Sequence, residues 1–86
     1  MTRREELLTI LMEECGEVII EASKIKRFGD MEYNGETALQ RLEKELGDLQ
    51  CMIELLHEEF SISYEAMQEQ AEKKKEKLKK WSTLFE

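Results

Sequence analysis

The sequence contains no proline and only four glycines in 86 residues. Without proline no helix interior is barred. So little turn-forming residue beside 38% charged residues reads as an all-α chain. Cysteine is almost as scarce. Cys15 and Cys51 each fall inside a helical stretch among apolar neighbours, where they read as small buried hydrophobes in a reducing compartment rather than as a disulfide. The single histidine, His57, lies about 13 Å along a helix axis from Asp48 and reads as a partly exposed helix residue, not a catalytic base. No run approaches the roughly 18 apolar residues of a membrane span, and no long apolar stretch follows Met1-Thr2-Arg3-Arg4-Glu5-Glu6. A cytoplasmic protein with no membrane association is therefore expected. Positive charge is in deficit, with 13 Lys and Arg against 20 Asp and Glu, for a net charge of −7. That disfavours polymeric nucleic acid and anionic membranes as partners, but admits a small anion bridged by a metal. The length fits one small domain spanning 1–86, with no repeat, linker or second domain. Three helices of this size cannot cover their own apolar faces. Association with itself, as a homodimer or homotetramer, is expected.

What the sequence has in abundance is acid, and two groups stand out. Glu13-Glu14-Cys15-Gly16-Glu17 is an E-E-x-x-E run, and Glu45-Leu46-Gly47-Asp48 is an E-x-x-D run. In each, two carboxylates three residues apart project from one face of a helix. From Glu17 to Phe28 is about 11 residues and from Gly35 to Glu45 about 10, so both arms span roughly 15–17 Å. Folded back antiparallel, the two helices bring the acid groups to the same height. Glu14 occupies a place in the stripe Leu7, Leu11, Val18, Ala22, Ile25 where another apolar residue belongs. Glu45 lies at helical spacing between Leu42 and Leu49, and Asp48 flanks that face in line with Met52. Carboxylates in a core stripe must neutralise or find a cation, and four converging ones repel each other. A divalent ion removes the conflict. Ligation by oxygen alone suits Mg²⁺ or Mn²⁺ better than Zn²⁺. The competing interpretation is a solvated face, since so acidic a chain also carries chance pairs such as Glu69 and Glu72.

The first helix is expected from a Thr2 cap, with Glu5 completing a capping box, to about Arg27. Leu8, Met12, Cys15 and Ile19 give it a second apolar stripe, so it needs more than one neighbour. Gly16 costs helix stability and marks either close helix packing or room for a metal or phosphate. Lys24, Lys26 and Arg27 suit the helix dipole, and Lys24, two turns beyond Glu17, could also reach a phosphate. Gly29 to Gly35 reads as a loop, Glu36 to Glu59 as the second helix, and Phe60 to Ser63 as a break in which Ser61 or Ser63 caps a third helix ending near Lys80. The basic run Lys73 to Lys80 is either a solvated face or a source of one or two lysines for the acid site. Trp81 and Phe85 are expected to pack or to fray.

With these residues in view, the chain resembles the MazG-like nucleotide pyrophosphohydrolases of the all-α NTP pyrophosphatase superfamily. The resemblance rests on Glu13-Glu14-x-x-Glu17 followed by Glu45-x-x-Asp48. It extends to Leu11-Met12, Ser23-Lys24, Arg27-Phe28-Gly29, Arg41-Leu42, Gly47-Asp48-Leu49 and Lys77-Leu78 before Trp81. It implies an antiparallel helical bundle of about three helices per chain, completed by oligomerisation. It also implies hydrolysis of an NTP or dNTP to the monophosphate and pyrophosphate. Carried over by position, Glu14, Glu17, Glu45 and Asp48 would be Mg²⁺ ligands, with Mn²⁺ as a substitute. Glu13 would lie behind them or help to activate water. The basic residues to be set against substrate phosphates are Lys24, Arg27, Lys74 and Lys77. Family members commonly carry a further helix before the E-E-x-x-E helix. Its absence here implies a pocket completed by a partner subunit. The alternative from another class is a non-catalytic helical dimerisation or partner-binding module.

Overall fold

The computed structural model describes all 86 residues as an all-α chain of three helices with one minimal hairpin. Helix α1 spans Arg3–Phe28, strands β1 and β2 are Glu32–Tyr33 and Glu36–Thr37, α2 is Ala38–Phe60 and α3 is Tyr64–Trp81. Thr2 caps α1 through its hydroxyl and Glu5 returns the bond, so the expected capping box is present. Gly29, at φ 77°, ends the helix, and its N–H donates to the Ile25 carbonyl.

The connection is more ordered than a loop. Asn34 and Gly35 both have positive φ, 52° and 78°, as a two-residue type I′ hairpin turn requires. Glu32 pairs with Thr37 and Tyr33 with Glu36 in antiparallel register. The second helix consequently starts at Ala38 rather than Glu36, behind a second capping box between Thr37 and Gln40. The hairpin is sewn to α2 by the Ala38 N–H on the Met31 carbonyl at 3.0 Å and the Leu39 N–H on Asp30 Oδ1 at 2.8 Å.

Contacts at both ends show that α1 and α2 run antiparallel. Near the start of α1, Arg3 and Arg4 bind Glu59 at 3.1 and 3.3 Å, while near its end Glu21 meets Arg41 at 3.4 Å. The apolar core sits at the end away from the hairpin, where Leu7, Met52 and Leu56 are buried with Ile10, Leu11, Leu55 and Phe60 against them. The acid motifs lie between that core and the hairpin.

Helix α3 stands off this pair. Ser61 takes the left-handed conformation (φ 54°) that ends α2, and Ser63 caps α3 by accepting from the Ala66 N–H. The joint is braced by His57, whose Nδ1 meets the Ile62 carbonyl and whose ring stacks on Tyr64 at 4.0 Å. Beyond it no residue of α3 is buried, and the molecule is flat, 38 × 37 × 16 Å. One expectation is corrected as a result, and one alternative is decided. Cys15 and Cys51, expected to be buried, are exposed; Cys15 sits on the outer stripe of α1, which has no second helix against it, and Cys51 on a face of α2 that α1 does not cover. Trp81 is 83% exposed and packs on nothing.

Candidate metal centre

Each acid motif delivers what its helix turn allows. Glu14 on α1 meets Glu45 and Asp48 on α2, and one carboxylate oxygen from each lies within 4.8 Å of the others. Hard cations hold oxygen ligands at about 2.0–2.6 Å, so oxygens on opposite sides of one ion are about 4–5 Å apart. The three carboxylates are therefore close enough to share one such ion. Glu14 Oε2 is buried with no hydrogen-bond partner, which leaves a desolvated acceptor aimed into the helix interface. Half-buried Glu45 has its carboxyl pushed above the ordinary range, first by burial and then by the charges of Asp48, Glu17, Glu14 and Glu21. Burial and like charges together disfavour the ionised form of this carboxyl. An oxygen-only donor set with an orphaned acceptor suits a divalent cation.

Glu17 and Glu13 behave differently. Glu17 is exposed and is not one of the three converging acids, although its charge still acts on Glu45. Glu13 is exposed on the neighbouring face of α1. A Cβ added at Gly16 would meet nothing within 4 Å, so packing within one chain does not require that glycine. Open space beside the acids is what it leaves.

The structure also brings in a residue that the motif reading missed. Glu21 is the one buried charged side chain, 6% exposed. It lies four residues after Glu17 and seven after Glu14, on the stripe that already carried the acids. Its two oxygens are divided between cations, Lys24 Nζ at 3.3 Å and Arg41 Nε at 3.4 Å. Arg41 spends the rest of its fork on the hairpin, donating from Nη1 to the Glu36 carbonyl at 2.8 Å and from Nη2 to the Met31 carbonyl at 3.4 Å. Arg41 thus joins α1, α2 and the hairpin one turn from Glu45.

The basic candidates are redistributed. Lys24 is turned onto Glu21 rather than left free for a phosphate, because a buried carboxylate one turn away is the stronger local partner. Arg27 folds back, with Nε on the Ser23 carbonyl and its guanidinium 5.0 Å from the centre of the Phe28 ring. Lys74 and Lys77 lie exposed on α3, and beyond the His57–Tyr64 joint no residue of that helix is buried, so one chain does not bring them against its own acids. No protein-family model, curated protein or solved structure matches this chain.

Proposed function

We propose that the protein is a divalent-metal-dependent nucleotide pyrophosphohydrolase that converts an NTP or dNTP to the monophosphate and pyrophosphate. The observation that carries this reading is the convergence of Glu14, Glu45 and Asp48 around an unpartnered buried carboxylate oxygen. The choice of reaction follows the resemblance of the paired E-E-x-x-E and E-x-x-D motifs to MazG-like enzymes. Glu14, Glu45 and Asp48 would hold Mg²⁺ or Mn²⁺, with Glu17 completing the set from the next turn of α1. The ion, when bound, neutralises phosphate oxygens and lowers the pKa of a coordinated water. Glu13 or a neighbouring carboxylate accepts the proton of the attacking water. The new bond forms from that water's oxygen to the α-phosphorus. The bond from the α-phosphorus to the oxygen bridging it to the β-phosphorus breaks, and pyrophosphate leaves with the electron pair.

The same reading includes self-association. Only five of 86 residues are buried in one chain, too few to offset the conformational entropy of ordering the rest. The chain is also split in charge. By sequence, residues 3–60 carry 15 acids against 7 bases, while Lys73 to Lys80 hold six lysines and one glutamate. A second copy's α3 laid over α1 and α2 would cover Leu8, Met12 and Ile19. It would also carry Lys74 and Lys77 towards the acids, where they would take up charge on the departing pyrophosphate.

The test is pyrophosphate release from a panel of NTPs and dNTPs with Mg²⁺ and with EDTA. Matched release of pyrophosphate and nucleoside monophosphate, abolished in Glu17→Gln and Asp48→Asn variants that retain their helical circular dichroism, is the expected result. Full turnover in both variants would sink the assignment. The non-catalytic dimerisation module draws its support from the same bare helix faces, and it expects neither release nor stabilisation by a divalent ion.

A further inference from the structure

A cavity of about 260 Å³ lies at the foot of the hairpin, walled by Lys24, Arg27, Phe28, Met31, Tyr33 and Arg41. It adjoins the acid cluster. Lys24 is seven residues, about 10 Å, beyond Glu17 on α1, and Arg41 is four residues, about 6 Å, before Glu45 on α2. The volume is below the roughly 300–1,000 Å³ of pockets that enclose a whole drug-sized ligand. The cavity is therefore suited to one end of a nucleotide, and the chemistry of its walls decides which.

Three cationic residues at first suggest phosphate. Their charged heads are largely engaged elsewhere, however. Arg41 donates to Glu21 and to two backbone carbonyls, Lys24 is bound to Glu21, and Arg27 is turned onto Ser23 and Phe28. Glu32 on the same rim opposes a second anion. What remains open is alkyl stem and aromatic ring. Phe28 is 61% and Tyr33 71% exposed, two rings left in water at the mouth of one cavity. Tyr33 is held there by its pairing with Glu36 and by the tight Asn34-Gly35 turn, and Phe28 by the end of α1. Flat faces of this kind stack on flat ligands.

We infer that this cavity receives the base of the nucleotide, with Tyr33 and Phe28 as its stacking surfaces. The inference rests on the pyrophosphohydrolase reading. The phosphates lie at the acid cluster through the divalent ion, and the base reaches one to two helical turns along the groove towards the hairpin. Stacking of this kind accepts any planar heteroaromatic ring, so the cavity by itself favours bases as a class over any one of them.

The experiment is calorimetric binding of two probes in Mg²⁺ to wild-type protein and to the Tyr33→Ala and Phe28→Ala variants. One probe is a nonhydrolysable α,β-methylene nucleoside triphosphate. The other is inorganic triphosphate, which has no base. Both rings are surface groups, and circular dichroism and sedimentation check that fold and assembly are retained. Each variant is expected to bind the nucleotide probe about tenfold or more weakly, with inorganic triphosphate unaffected. Unchanged nucleotide binding would overturn the inference alone, as would equal loss of both probes or a loss that accompanies dissociation of the assembly. A wild-type protein that binds neither probe would overturn the pyrophosphohydrolase reading and this inference together.

Discussion

Replacing Arg41 with methionine should cost more stability than any other single surface-reaching change, about 2–4 kcal/mol. The estimate comes from the bonds that the side chain makes. The 2.8 Å bond from Nη1 to the Glu36 carbonyl has a charged donor and good length, worth about 1.5 kcal/mol. The two 3.4 Å contacts, to Met31 and to Glu21, are long and count for about 0.5 kcal/mol each. Removal also leaves Glu21, whose side chain is 8% exposed, with Lys24 alone, itself 46% exposed. Half-compensating a buried carboxylate adds about another 1 kcal/mol. Glu21→Gln should cost less, about 1 kcal/mol, because the amide can still accept from one cation while the other turns to water. The two residues share a contact, so their effects should not add. The double variant should be less destabilised than the sum of the singles by about 1 kcal/mol. Urea unfolding of the four proteins, at one fixed protein concentration because assembly contributes to apparent stability, measures all three quantities. An Arg41→Met loss under 0.5 kcal/mol, or strict additivity, would refute the view that this residue ties the hairpin to both helices.

Three further outcomes follow from the same geometry. Wild-type protein should gain thermal stability in Mg²⁺, by about 2.7 kcal/mol at a concentration 100-fold above its dissociation constant; Asp48→Asn should abolish the gain, and an equal shift in that variant would place the ion elsewhere. Glu45 has a raised carboxyl, so its contribution to stability is complete below its unfolded value and is lost as pH rises through the folded one. Metal-free protein should therefore lose stability as pH climbs from the mid-4s towards neutrality, and Glu45→Gln should flatten that slope and raise metal-free stability at pH 7; a variant with the wild-type slope would contradict this. Finally, Trp81 is the only tryptophan and is largely in water in a single chain. If a second copy covers α3, its emission should be blue-shifted at high concentration and move red on dilution, in step with the mass from sedimentation; a monomer with water-like emission throughout would refute self-association through this helix.

The acid cluster was legible because helical spacing is rigid. Two motifs, each within one turn, at matched distances from a turnaround, had to meet once the helices folded back. That argument fixes axial height well and rotation about the axis less well. Glu14 entered the cluster while Glu17, one turn on and rotated by the mismatch between three residues and 3.6 per turn, stayed at its edge in solvent. Glu21 went unread because it followed the conspicuous motif and looked like one more surface acid. Its spacing of four from Glu17 and seven from Glu14 was the available signal. The hairpin was legible too, since Asn-Gly between Tyr33 and Glu36 is the dipeptide that a type I′ turn asks for. Only the length of the flanking strands, two residues each, let it pass as loop.

The misplacement of the cysteines has a cause that bears on how the protein works. Apolar periodicity predicts that a face will be covered, but carries no information about which chain covers it. On α1 the inner stripe found α2 and became the small core around Leu7. The outer stripe, with Leu8, Met12, Cys15 and Ile19, found nothing in its own chain, and α3 stands away with Lys74 and Lys77 exposed. The same separation that leaves Cys15 in water also keeps Lys74 and Lys77 from the acids of their own chain. On the proposed reading, covering that stripe and bringing lysines to the acids would both come from the arrival of a second copy. If the protein hydrolyses nucleotides, its activity should rise with concentration over the range in which it assembles. Constant specific activity per chain across that range would separate the two.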